Sequence, residues 1–158
     1  MTEVTDEFGA LLTRLLRKIM LILQGRKALV AVLRPDGSQL IPARAAFGLD
    51  AEQLAAIDTE RLRAFSQFAL TARTPTTLNS SGECSSALGD TMGGAISNGL
   101  CVPLLAQPGD TQPIAGLLFL FNKATGDAFS AEDRSLSIVL SRQLAAVLFE
   151  QQRRAPMV

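Results

Sequence analysis

The chain has 158 residues, 47% of them apolar, with fifteen basic side chains balanced by fifteen acidic ones. That length suits one domain with a proper core, and the neutral balance offers nucleic acid or an anionic membrane no electrostatic footprint. Histidine is absent, as are tryptophan and tyrosine. A Ser-His-Asp or Cys-His mechanism is therefore impossible within the chain, and aromatic cages lose their usual residues.

No apolar run approaches the roughly 18–20 residues that cross a bilayer. Acids at Glu3, Asp6 and Glu7 precede the first apolar stretch, unlike a signal peptide. The expectation is a cytoplasmic protein without membrane or nucleic-acid partners. Cys84 and Cys101 are too few for a disulfide framework and lack metal-ligand spacing. Free thiols fit that compartment.

In chain order, Val4, Phe8, Leu11, Leu12, Leu15, Leu16, Ile19 and Leu23 recur at spacings of three and four. They predict an amphipathic helix over about residues 3–24, ended by Gly25. Residues 28–33 are continuously apolar, as in a central strand covered on both faces. Residues 35–38, Pro-Asp-Gly-Ser, supply turn chemistry, so 39–47 should return as the second strand of a hairpin. After Gly48, Asp50 and Gln53 read as a capping box for a short helix. A longer helix over about 59–72 should bury Leu62, Phe65, Phe68 and Ala69, and Thr74-Pro75 should stop it. Residues 76–78 suffice for a very short strand.

From 79 to 98 the composition turns to Ser, Gly and other small residues without clear periodicity, as in a lid or a solvated loop. Residues 99–105 and 114–121 are apolar strands around a Gln-Pro-Gly-Asp turn, with Pro103 expected at an edge or a bulge. Ser130 should cap a final helix that buries Leu136, Val139, Leu140, Leu144, Val147 and Leu148. The fold class is α+β: a five- or six-stranded antiparallel sheet flanked by helices, all in one domain of residues 1–158.

In this order the chain resembles a GAF domain, the sensory fold related to PAS domains. Residues 100–104, Leu-Cys-Val-Pro-Leu, are similar to the family's strand of small-apolar-Val-Pro-Leu form, and 114–118, Ile-Ala-Gly-Leu-Leu, to the strand that follows it. Asn122-Lys123 followed by Phe129-x-x-x-Asp133 resembles the Asn-Lys…Phe-x-x-x-Asp-Glu signature of cyclic-nucleotide-binding GAF domains, with Arg134 in place of the Glu. The resemblance implies a core over about 26–150 with the terminal helices packed on one face. It also implies an ion pair of Lys123 with Asp133 beneath a ligand site. Read without it, Ser130 and Asp133 are a helix start and Phe129 is core filler.

The candidate ligand residues are Asn79, Ser80, Ser81, Asp90, Thr91, Ser97 and Asn98, whose donors and acceptors suit a purine, ribose or cyclic phosphate. No catalytic residue, metal site or cofactor is expected. GAF bilin sites normally use a Cys-His pair, and a His-ligated haem is impossible here. Two separated cysteines do not match a GAF-type methionine sulfoxide reductase. Cys84 has no adjacent base. The reading is a non-enzymatic sensory module that holds a small ligand, with a cyclic nucleotide first, and couples it to the terminal helices. Those helices would form a homodimer through Leu11, Leu15, Ile19 and Leu23, with Ile138 and Phe149 off the main stripe. The alternative is a ligand-free dimerisation scaffold.

Overall fold

The computed structural model describes residues 2–33, 40–91, 96–105 and 114–154. The expected turns at 35–38 and 107–110, and the side chain of Val4, lie outside the described residues. Helix α1 (Thr2–Leu23) leads into β1 (Gly25–Leu33) and β2 (Leu40–Phe47). Helices α2 (Ala51–Ala55) and α3 (Thr59–Ala72), strand β3 (Thr76–Leu78) and helix α4 (Ser81–Leu88) follow. Strands β4 (Gly99–Leu104) and β5 (Gly116–Lys123) and helix α5 (Ala131–Arg154) complete the order. The five strands pair antiparallel throughout in the order β2-β1-β5-β4-β3.

The central strands explain the architecture. Alternate residues of an extended chain point to opposite faces. Val30, Leu100, Val102, Leu118 and Leu120 face α1 and α5, where Leu12, Leu16, Ile19, Leu144 and Leu148 meet them. Leu29, Ala31, Leu117, Phe119 and Phe121 face the other way and pack with Leu62, Phe65, Cys84 and Leu88. Strands buried on both sides must be apolar at every position, which is why residues 28–33 and 116–121 show no alternation. The terminal helices do share one face, as expected.

Local signals set the boundaries. Gln24, not Gly25, takes the left-handed turn that ends α1, with φ 63°; its N–H donates to Met20 O at 2.7 Å, leaving Gly25 to open β1. Asp50 and Gln53 form the expected reciprocal capping box on α2. Gly48 has φ +76°, and a Cβ there would stand 2.1 Å from Arg26 O, so only glycine fits this crossing. Pro103 sits inside β4 at an edge-like position. The bond from Asn122 N to Asn98 O sets the alternation, so even-numbered residues of β4 aim at β5. The missing N–H of Pro103 then points to the other side, beyond the Thr76–Cys101 pair where β3 has ended.

Three expectations are overturned. Part of the segment taken as aperiodic is α4, capped by Ser80, whose side chain accepts from Glu83 N. Phe68 is 58% exposed, because α3 turns Leu62, Phe65, Ser66 and Ala69 inward instead. On α5, Leu136 and Val139 are 38% and 56% exposed, while Ser137 and Ser141 are buried in their place. The serines accept burial because each hydroxyl donates to a carbonyl of its own helix: Ser66 to Arg63 O, Ser137 to Arg134 O and Ser141 to Ile138 O. A polar side chain satisfied within its own turn carries little desolvation penalty.

Candidate functional site

One end of the sheet gathers the polar residues that the motif singled out. Here β1 begins, β5 ends and β4 begins. Asn122 adopts φ 60°, a conformation that asparagine tolerates better than most residues, and its side-chain Oδ1 accepts from Ser97 N at 2.7 Å. Asn98, 2% exposed, takes the Lys123 N–H on its Oδ1 at 2.9 Å and donates from Nδ2 to Asp127 O at 3.2 Å. Ala124 N donates to Gln24 O at 2.6 Å, which brings the exit of α1 to the same corner.

Lys123 completes the link to α5. Its ammonium lies 2.6 Å from Asp133 Oδ2, with both side chains about 15% exposed (16% and 15%). Ser130 N donates to the same carboxylate at 2.9 Å, and Asp133 N returns a bond to Ser130 Oγ at 3.0 Å. That is a capping box with an ion pair added. Burial pushes the Asp133 carboxyl up, but the Lys123 hydrogen bond, the Ser130 N–H and the Lys123 charge together hold it below its ordinary value. Phe129, 2% exposed, fills the core beneath, on the α1–α5 side of the sheet. The ion pair and the helix start are therefore one structure, not alternatives.

The candidate ligand residues divide by role. Asn98 is spent on the corner just described. Thr91, 3% exposed, accepts from Asp58 N at 2.6 Å and so ties the entrance of α3 to the residues after α4. The Ser80 side chain caps α4, and Asn79 N donates to Glu83 Oε1 at 2.6 Å. Asn79, Ser81, Asp90 and Ser97 are exposed. Leu78 pairs with Gly99, which sets Asn79 beside Asn98 at one sheet end. Residues 92–95 lie outside the described residues. Asp58 and Asp127 were not foreseen as participants, and Asn122 was named with the Asn-Lys motif but without its bond to Ser97 N. Only Asn122 carried a local signal, an asparagine where a strand has to turn.

Beneath α3 and α4 the sheet face is filled by side chains. Phe119 stacks on Phe121 at 6.1 Å between ring centroids and meets Phe65 at 5.9 Å. Leu62 and Leu88 are buried alongside them. Cys84 belongs to this layer on the inner face of α4, not to a solvated segment. Burial, and next to it the Glu83 charge, push its thiol up to about 11. Cys101 is raised by burial alone. Among the described residues no group of three or more His, Cys, Asp or Glu side chains could hold a metal ion, and no helix is long and apolar enough to cross a membrane.

A second candidate surface lies on the opposite layer. Helices α1 and α5 run antiparallel with a groove between them. Leu15 and Lys18 stand across from Val139 and Arg142 in one hollow, and Glu7 and Leu11 across from Val147 and Glu150 in the next. Leu11 is 36% exposed and Ile22 46%. Ile19 and Leu23, expected at a seam between chains, are instead buried in the chain's own core. Phe149 also packs partly against that core. Ile138 lines a small hollow with Pro103 and Arg142.

No family model and no curated protein matches the sequence. Solved structures do match. The GAF domain of an Acinetobacter phosphoenolpyruvate-protein phosphotransferase superposes with a TM-score of 0.72 at 13% identity, over 99% of this chain and 94% of that one. The fold is that of a GAF domain. A domain of a two-component sensor histidine kinase protein from Sinorhizobium meliloti shares it, with a TM-score of 0.61 and 19% identity over 98% and 93% of the two chains. So does the type II free methionine-R-sulfoxide reductase of Thermoplasma acidophilum, with a TM-score of 0.67 and 10% identity over 92% and 95%. The GAF fold thus serves a sensor protein and an enzyme, and the side chains must decide between such roles.

Proposed function

We propose that this chain is a non-catalytic regulatory module of a cytoplasmic signalling protein, and that it works as a homodimer joined through α1 and α5. The observation that carries this reading is the apolar row left open on that layer. Leu11 and Ile22 on α1, and Leu136 and Val139 on α5, are exposed at helical spacing, with Leu15 and Leu140 half-buried between them against the chain's own core. An exposed row of this kind usually has a partner. The sensor-kinase and phosphotransferase neighbours support the signalling role. Against catalysis stand the two buried thiols, both held protonated near neutral pH.

Light-scattering mass across a concentration series tests the dimer. The expected result is twice the chain mass, reverting to one chain in Leu11→Glu/Val139→Glu with an unchanged circular dichroism spectrum. A single-chain mass for the parent protein at several hundred micromolar would remove this reading.

A second reading is ligand capture along 79–98. The exposed side chains of Asn79, Ser81, Asp90 and Ser97 favour it, together with the Asn98–Lys123–Asp133 chain of bonds that leads from this segment to α5. A cyclic nucleotide is the ligand proposed on the motif. It would have to displace or spread the Phe119, Phe121 and Leu88 packing to reach the sheet. On this reading cAMP or cGMP raises the melting temperature and gives heat in calorimetry. Silence from both leaves the dimer reading alone.

A further inference from the structure

We infer that the second copy of this chain docks on the α1–α5 groove in an antiparallel register fixed by charge, an inference that rests on the dimer reading above. The groove is electrically divided along its length. The hollow around Leu15, Val139 and Leu140 carries Lys18 and Arg142; the hollow around Phe8, Leu11 and Val147 carries Glu7 and Glu150. Glu7, Lys18 and Arg142 are exposed. Glu7 and Lys18 stand eleven residues apart along α1, roughly 16 Å at the helical rise.

A closed dimer uses the same patch on both chains, so the two-fold axis decides which residues meet. An axis parallel to the helices puts each residue opposite its own copy: Glu7 against Glu7, Lys18 against Lys18, Arg142 against Arg142. An axis perpendicular to them, passing midway between the hollows, puts the acidic hollow of each chain over the basic hollow of the other. Leu11 and Leu15 flank that axis, with Val147 and the exposed amide of Gln143 on α5, so a centre built on Leu11, Leu15 and Val147 closes with a charged pair of hollows on each side. Burial of the apolar row supplies most of the affinity in either register. Charge is what separates them, which is its usual part at an interface.

Charge reversal reads the register, because the two arrangements respond with opposite patterns. In the antiparallel dimer, Glu7→Lys alone and Lys18→Glu alone each turn two attractive contacts into repulsive ones. Each should weaken the dimer roughly tenfold in sedimentation equilibrium. The double variant Glu7→Lys/Lys18→Glu restores the pairs and the affinity. Raising salt from 50 to about 500 mM should weaken the parent dimer, since screening removes attraction. A parallel dimer gives the reverse: single reversals keep like facing like and change little, and salt tightens association. Either of those results overturns the register while leaving the dimer in place. A parent protein that stays monomeric overturns the dimer reading first, and the register with it. Both substitutions fall on solvent-facing residues, and matching thermal melts at low concentration confirm that folding is intact.

Discussion

At the scale of single residues, Asp133 has the most to lose. It accepts from Lys123 and Ser130 and starts α5 at once. Asp133→Asn removes the charge from both bonds, and charge-assisted bonds of this kind contribute about 1.5–3 kcal/mol. Urea unfolding at pH 7 should therefore show a loss of about 2 kcal/mol. The pH dependence has a definite sign. The folded pKa lies below the unfolded one, so the stabilisation is present in full above the ordinary carboxylate value of about 3.9 and is lost as pH falls through the lowered value. The gap between parent and Asp133→Asn should hold steady from pH 7 to about 5 and close only below about 4. A gap that is constant down to pH 2 would mean the asparagine costs packing rather than charge. Cys84, with its thiol near 11, gives the companion prediction: in the folded protein it should react with a disulfide reagent at pH 7.5 only as fast as the protein unfolds.

At the scale of elements, one physical effect accounts for most of what the sequence concealed. On α3 three of the four expected core residues are buried, and Ser66 takes the place expected of Phe68. On α5 the buried face is turned by about one position, with Ser137 and Ser141 inward in place of Leu136 and Val139. Each of these serines closes a bond to its own helix. Polarity in a sequence records what a side chain could offer water, not whether its own backbone has already taken the offer. The contrast is measurable on α3. Leu62→Ala should cost about 2–5 kcal/mol, whereas Phe68→Ser should stay within about 0.5 kcal/mol, although both residues were expected in the core. Helix α4 was missed for the related reason that its Ser and Gly residues favour loops; Ser80, acting as the cap, holds it together. By contrast, β1, β4, β5, the Asp50 capping box and the start of α5 were legible, because continuous apolar runs and side-chain caps act over a few adjacent residues. Of the site, the Lys123–Asp133 pair was legible through the motif. The bonds of Asn98 to Lys123 and Asp127 join residues far apart in sequence, and no local pattern announces them.

At the scale of the whole molecule, the sheet separates two cores with different freedoms. The core under α3 and α4 is closed by its own phenylalanines, and the corner bonds tie its connecting segment to both terminal helices. The core under α1 and α5 is also complete, with Leu12, Leu16 and Leu144 fully buried. What remains exposed on that side is therefore surplus to folding the single chain. Surplus apolar surface at helical spacing is the part of the molecule that association can cover, and association leaves a thermodynamic mark. When a native dimer unfolds to separate chains, mass action makes the melting temperature depend on concentration. With an unfolding enthalpy of about 0.7 kcal/mol per residue, the melting temperature should rise by about 2 °C for each tenfold increase in protein. In Leu11→Glu/Val139→Glu the dependence should vanish. The variant's melt should then match the parent's at the lowest concentrations, because residues outside the single-chain core contribute little to its stability. A variant that melts well below the dilute parent would show instead that Leu11 and Val139 support the fold itself, and that the open row has another purpose.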